Sequence, residues 1–204
     1  MSILIPGPAG YLEAQLTSPA QAIGAALLCH PHPQYGGSMH DGVLAVAERV
    51  FADLGFATLK FNFRGAGASD GSFDQGVGEV DDVVAAWQWL NTELEPSTCY
   101  LVGYSFGSAM AWKSLAKTTP DALIMIAPPI GMMAFDQQAI TSPVDIFYGT
   151  DDQFIESAAM TEFTESRALV TGHAIAGADH FFSGAADELR VLLHRLLEQR
   201  VNIL

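Results

Sequence analysis

Short apolar runs rich in β-branched and aromatic residues alternate along this chain with stretches of helical periodicity, and that alternation admits few folds. It is the pattern of βα units, in which each strand hands the chain to a helix that returns across the sheet before the next parallel strand begins. The α/β class follows, with a mostly parallel central sheet and helices on both faces. Strands are predicted over residues 25–29, 57–63, 99–103, 122–127, 144–148 and 168–175. Continuous runs such as Ala-Ala-Leu-Leu-Cys and Asp-Ile-Phe-Tyr suit strands covered on both faces.

Between the strands, Val43, Val46, Val50 and Leu54 recur at helical spacing, behind a Ser38-to-Asp41 spacing like a capping box and ahead of Gly55. Val80, Val83, Val84, Trp87 and Leu90 write a second helix; the acidic residues of its first turn, Glu79, Asp81 and Asp82, read as complementing the helix dipole. A third helix begins just after Ser105. The last carries Leu189, Leu192, Leu193, Leu196 and Leu197, opened by Asp187 and Glu188 and closed by Arg200. Residues 65–78 and 128–143 form long loops, where function tends to collect. With no repeat or linker, the 204 residues read as a single domain.

Charge removes several functions. Nine Lys and Arg against 23 Asp and Glu, a net charge of -14, leave no basic footprint for nucleic acid or anionic lipid. The longest apolar stretch, 122–135, is broken by Pro128, Pro129 and Gly131 and falls short of the roughly 20 residues that span a bilayer. The opening residues lack the basic region and long apolar run of a secretory signal, so a cytoplasmic address and no membrane are expected. Cys29 and Cys99 fall at opposite ends of their strands, roughly 13 Å apart along the strand direction, and read as free thiols.

The chemistry gathers at residues 99–108, where an apolar strand runs straight into Gly103-Tyr104-Ser105-Phe106-Gly107 and then a helix. This is G-x-S-x-G in a strand-turn-helix setting. A turn that sharp strains the serine backbone and needs flanking residues nearly free of side chain. It also points the Ser105 hydroxyl outward above the carboxyl ends of the strands. Ser105 is the expected nucleophile. The amides opening the next helix point to where negative charge develops during acyl transfer.

Together with His-Pro-His-Pro-Gln-Tyr-Gly-Gly after the first predicted strand, Phe-Asn-Phe-Arg-Gly-Ala-Gly after the second, and then Gly-Thr-Asp-Asp-Gln-Phe and Gly-Ala-Asp-His-Phe-Phe, this segment resembles the α/β-hydrolase superfamily. It is similar to its small, cap-less serine hydrolases related to the dienelactone-hydrolase-like group, over about residues 25–199. The resemblance implies a triad in the order serine, acid, histidine. His180, in the loop between the last strand and the last helix, is then the general base. His173 and His194 fall inside a strand and a helix. The family spacing selects Asp152 as the orienting acid, with its neighbour Asp151 as the alternative.

For the oxyanion hole, Phe106 should give one N–H. The second normally comes from the loop after the first predicted strand, where Pro31 and Pro33 have no N–H to give. His32 is the expected donor, with Gln34 and Tyr35 behind it. His30-x-His32 lacks a ligand cluster around it, and Gly65-x-Gly67 is off the dinucleotide spacing, so neither metal nor cofactor is expected.

These residues imply a hydrolase of small carboxylic esters or thioesters acting through an acyl-enzyme. The alternatives are an amidase or peptidase with the same triad, and a non-catalytic binding protein on the same fold. Between 127 and 144 there is room for a loop and not a cap domain. Tyr35, Met132, Met133, Phe135, Phe154 and Phe181 are the expected lining of an open apolar cleft for a small-molecule ester.

Overall fold

The computed structural model describes residues 2–135, 139–155 and 157–201. Its centre is an eight-stranded sheet of β1 (Ser2–Gly7), β2 (Gly10–Thr17), β3 (Ala25–Cys29), β4 (Ala57–Phe61), β5 (Cys99–Tyr104), β6 (Ala122–Ile126), β7 (Val144–Gly149) and β8 (Val170–Ile175), in the order β1-β2-β4-β3-β5-β6-β7-β8. The six strands predicted from sequence are there and run parallel. The two that sequence reasoning missed form an N-terminal hairpin that joins antiparallel to β4. β2 buries Leu12 and Ala14 and leaves their neighbours partly in solvent, a short alternation without a continuous apolar run. Pro6 further masks β1, which lies at the sheet edge, where a strand tolerates proline.

Helices α1 (Gly42–Asp53), α2 (Gly78–Leu94), α3 (Phe106–Ser114), α4 (Ser157–Glu165) and α5 (Ala186–Val201) complete the structure. The chain crosses one way from β3 to β4 and the other way from β4 to β5. Right-handed crossovers therefore put α1 on the face opposite α2 and α3. α5 packs with α1, and α2 with α3, so both faces of the central strands are covered and β3, β4 and β5 are buried throughout. Asp41 and not Ser38 caps α1, its Oδ1 accepting from the N–H groups of Val43 and Leu44 at 2.8 and 3.1 Å. α4 was not predicted: only Met160 and Phe163 of its nine residues are buried hydrophobics. Cys29 and Cys99 sit on adjacent strands at opposite ends of the register and are free. Among the described residues no helix is long and apolar enough to cross a membrane.

The hairpin is wired to the loop after β4. The Glu13 carboxylate accepts from Asn62 Nδ2 at 2.7 Å and from the Ala68 N–H at 2.8 Å, and Ser69 Oγ accepts from the Glu13 N–H at 2.9 Å. Tyr11 and Asp70 exchange two more bonds, one of them to the Asp70 carboxylate.

Candidate active site

The directions of crossover reverse at β3, so the carboxyl ends of β3 and β5 open a crevice at the switch point, the place where open α/β sheets hold ligands. Ser105 stands there at the β5–α3 junction with φ 51° and ψ -118°, strained for a residue with a side chain. Two glycines allow the turn. A Cβ on Gly103 would fall 2.5 Å from the Ser108 backbone, and one on Gly107 would strike the Cys29 and His30 carbonyls of the adjacent strand end. The Ser105 N–H donates to the Ile126 carbonyl at the end of β6 at 2.8 Å, which fixes the elbow to the sheet.

His180 and Asp152 reach the same point from the far side of the sheet edge. Ser105 Oγ lies 2.9 Å from His180 Nε2, and His180 Nδ1 lies 2.7 Å from Asp152 Oδ2. With the serine hydroxyl donating to Nε2, the proton on Nδ1 is donated to the carboxylate. The other Asp152 oxygen accepts from the Phe154 N–H at 2.8 Å, and the Tyr104 hydroxyl donates to the His180 carbonyl at 3.1 Å. Asp152 and His180 are buried, whereas Asp151 is exposed and its carboxylate accepts from Thr150 Oγ1 at 3.2 Å. Asp179, a neighbour that sequence reasoning passed over, accepts from the Phe181 and Ser183 N–H groups and shapes the histidine loop.

The Phe106 N–H opens α3, and its ring is buried beside His32, with centroids 4.8 Å apart. Among the described residues neither the Phe106 nor the His32 N–H donates to a protein acceptor. The alternative donors are engaged: the Gln34 N–H by His32 Nδ1 at 3.2 Å and the Tyr35 N–H by the His32 carbonyl at 3.1 Å. Burial lowers the pKa of the His32 imidazole from its ordinary value. His30 is fully buried, one ring nitrogen accepting from the Phe63 N–H and the other donating to the Pro31 carbonyl, so its ring is occupied in holding this loop.

A cleft of about 630 Å³ opens over Ser105, with Tyr35, Met132, Met133, Phe154 and Phe181 among its lining residues. Phe135 is a correction. It is half-buried and packs against the core, its ring 6.2 and 5.7 Å from those of Trp112 and Phe163, and it is not among the residues lining the cleft. Phe73 and Gln75 line the cleft instead and were missed, since the long loop gives no periodicity to place them. Glu79 and Asp82, at the start of α2, have further roles that the sequence reading did not include. Both are fully buried side chains: Glu79 accepts from the Asp74 and Gly76 N–H groups, and Asp82 pairs with the Arg64 guanidinium. They hold the loop, beyond any complement to the dipole.

A strand-elbow-helix at the carboxyl edge of a mostly parallel sheet, with no cap between β6 and β7, is the architecture of a lidless α/β hydrolase. Residues 10–200 match the family model described as X-Pro dipeptidyl-peptidase (S15 family), and the chain belongs to that α/β-hydrolase family. It is 33% identical over 198 residues to the uncharacterized protein RP471 of Rickettsia prowazekii, covering 89% of this chain and 82% of that one. Among solved structures it resembles XC6422 from Xanthomonas campestris, an α/β serine hydrolase without a lid, with a TM-score of 0.90, 32% identity, and 98% and 94% of the two chains covered. It also resembles an α/β serine hydrolase homologue from Coxiella burnetii, with a TM-score of 0.91, 35% identity and 97% of each chain covered.

Proposed function

We propose that this protein is a serine hydrolase that cleaves small carboxylic esters or thioesters through an acyl-enzyme on Ser105. The observation that carries this reading is the unbroken hydrogen-bonded chain from Ser105 Oγ through His180 to Asp152. A serine hydroxyl is a weak nucleophile at neutral pH and needs a base within reach. His180 Nε2 takes the hydroxyl proton as Oγ attacks the acyl carbon, and Asp152 holds the imidazole and stabilises the charge that forms on it. The tetrahedral oxygen is received by the N–H groups of Phe106 and His32, both without a protein acceptor among the described residues. Collapse returns the proton from Nε2 to the leaving alkoxide or thiolate, and water repeats the sequence to free the acid.

Hydrolysis of amides or peptides by the same residues is the second reading, and the S15 family match favours it. Fluorophosphonate labelling, followed by kcat/KM for a p-nitrophenyl ester against an X-Pro p-nitroanilide, tests both. Labelling with a preference for the ester supports the first reading. Labelling with faster anilide cleavage supports the second, and a protein that takes no label is a binding protein on this fold.

A further inference from the structure

One wall of the cleft, residues 73–76, is built with more constraint than a surface loop requires. The Phe73 ring lies 4.9 Å from that of His32 and 5.9 Å from that of Phe106, and a Cβ on Gly76 would meet Met110 Cε at 3.1 Å, so the segment rests on the start of α3. Gln75 stands between them with φ 54°, in the left-handed region. For a residue with a Cβ that conformation costs on the order of 1 kcal/mol.

The conformation is imposed from beneath. Glu79 Oε1 accepts from the Asp74 N–H at 2.6 Å and Oε2 from the Gly76 N–H at 2.8 Å, so one buried carboxylate grips the backbone on either side of Gln75. Asp82, on the same helix, is fully buried and binds Arg64 through Nη2 at 2.7 Å and through Nε, which anchors the start of the loop. The Gln75 side chain is exposed, lines the cleft, and has no protein partner among the described residues. Glycine would take the same backbone angles without strain. Strain kept in place by a buried clamp marks a position where the side chain matters.

We propose that Gln75 is a specificity-determining residue that hydrogen-bonds an uncharged polar group of the acyl donor, such as a hydroxyl, ether or carbonyl oxygen. The assignment rests on Ser105 being the nucleophile. A carboxamide offers both donors and an acceptor without charge. Phe73, Tyr35, Met132, Phe154 and Phe181 give the cleft much apolar surface, and beside Asp41 and the catalytic groups Gln75 is an uncharged polar side chain there, so this contact bears on which polar substituents are accepted.

The test compares wild type with Gln75→Ala and Gln75→Gly on matched pairs: p-nitrophenyl methoxyacetate against butyrate, and 2-hydroxyethyl acetate against propyl acetate. In at least one pair the polar-to-alkyl ratio of kcat/KM should fall about five- to tenfold, the scale of one hydrogen bond. The glycine variant relieves the strain and keeps the measurement on folded protein if the alanine variant is unstable. Ratios unchanged in both pairs, with wild type labelled by fluorophosphonate, overturn the assignment. A wild type that takes no label overturns the hydrolase reading and this assignment with it.

Discussion

The Phe63 N–H donates to Nε2 of His30 at 3.0 Å, and the opposite ring nitrogen donates to the Pro31 carbonyl at 2.6 Å. One imidazole thus ties the segment leaving β4 to the turn that presents His32, and both ring nitrogens are committed with the proton on Nδ1.

Burial lowers the His30 pKa to about 4. An unfolded chain takes up a proton there as pH falls below about 6.5, while the folded chain resists until about pH 4. The stability present at neutral pH therefore falls across that window, by on the order of 3 kcal/mol from this group. Urea unfolding at a series of pH values should give a flatter dependence for His30→Asn than for wild type, from a lower starting stability. Equal slopes would contradict the assignment.

Ser105→Ala should abolish fluorophosphonate labelling and reduce ester turnover by at least about a thousandfold, with an unchanged far-UV spectrum. Residual labelling at the wild-type rate would place the nucleophile elsewhere.

Asp152→Asn should cost about a thousandfold or more in kcat, because a neutral carboxamide cannot stabilise the imidazolium and its NH2 can donate to Nδ1, favouring the tautomer whose Nε2 carries the proton and cannot accept. Asp151→Asn, on an exposed carboxylate, should stay within about twofold. The pair is decided by kcat on folded proteins, and a larger loss at Asp151 would reverse the assignment.

Among the described residues no lysine or arginine lines the cleft, Asp41 does, and the chain carries a net charge of -14. A coenzyme A thioester should then be a poorer substrate than the same acyl group on N-acetylcysteamine, by about tenfold or more at low salt. The gap should narrow as ionic strength rises from about 0.05 to 0.5 M and screening shortens. A gap that ignores salt would point to shape instead of charge.

How much of this could be read in the sequence depends on where each residue's partners lie. The elbow at Ser105 is local: an apolar strand, two glycines and a helix start are contiguous, and the fold around them follows from the same alternation. Asp152 beside His180 needed a family's spacing, since two adjacent aspartates look alike until the sheet buries one and exposes the other. The loop-holding role of Glu79 and Asp82 was not legible because their partners, the Asp74 and Gly76 amides and Arg64, lie in a loop whose path no periodicity describes. The N-terminal hairpin escaped for a related reason. A strand with one buried side writes a weak pattern over so few residues, and its pairing with β4 is a tertiary fact.

That pairing also bears on the order in which the chain assembles. β2 skips β3, the next strand in sequence, and waits for β4 some 40 residues later. Its docking closes the bonds from Glu13 to Asn62 and Ala68 that fix the path toward Phe73. A nascent chain can form the hairpin early, but nothing holds it against the rest until β4 has emerged, and such long-range closure is slow. The wall of the cleft and the edge of the sheet should therefore become ordered in one kinetic step, so that a slow-folding variant at the hairpin would regain its β-structure and its catalytic competence together.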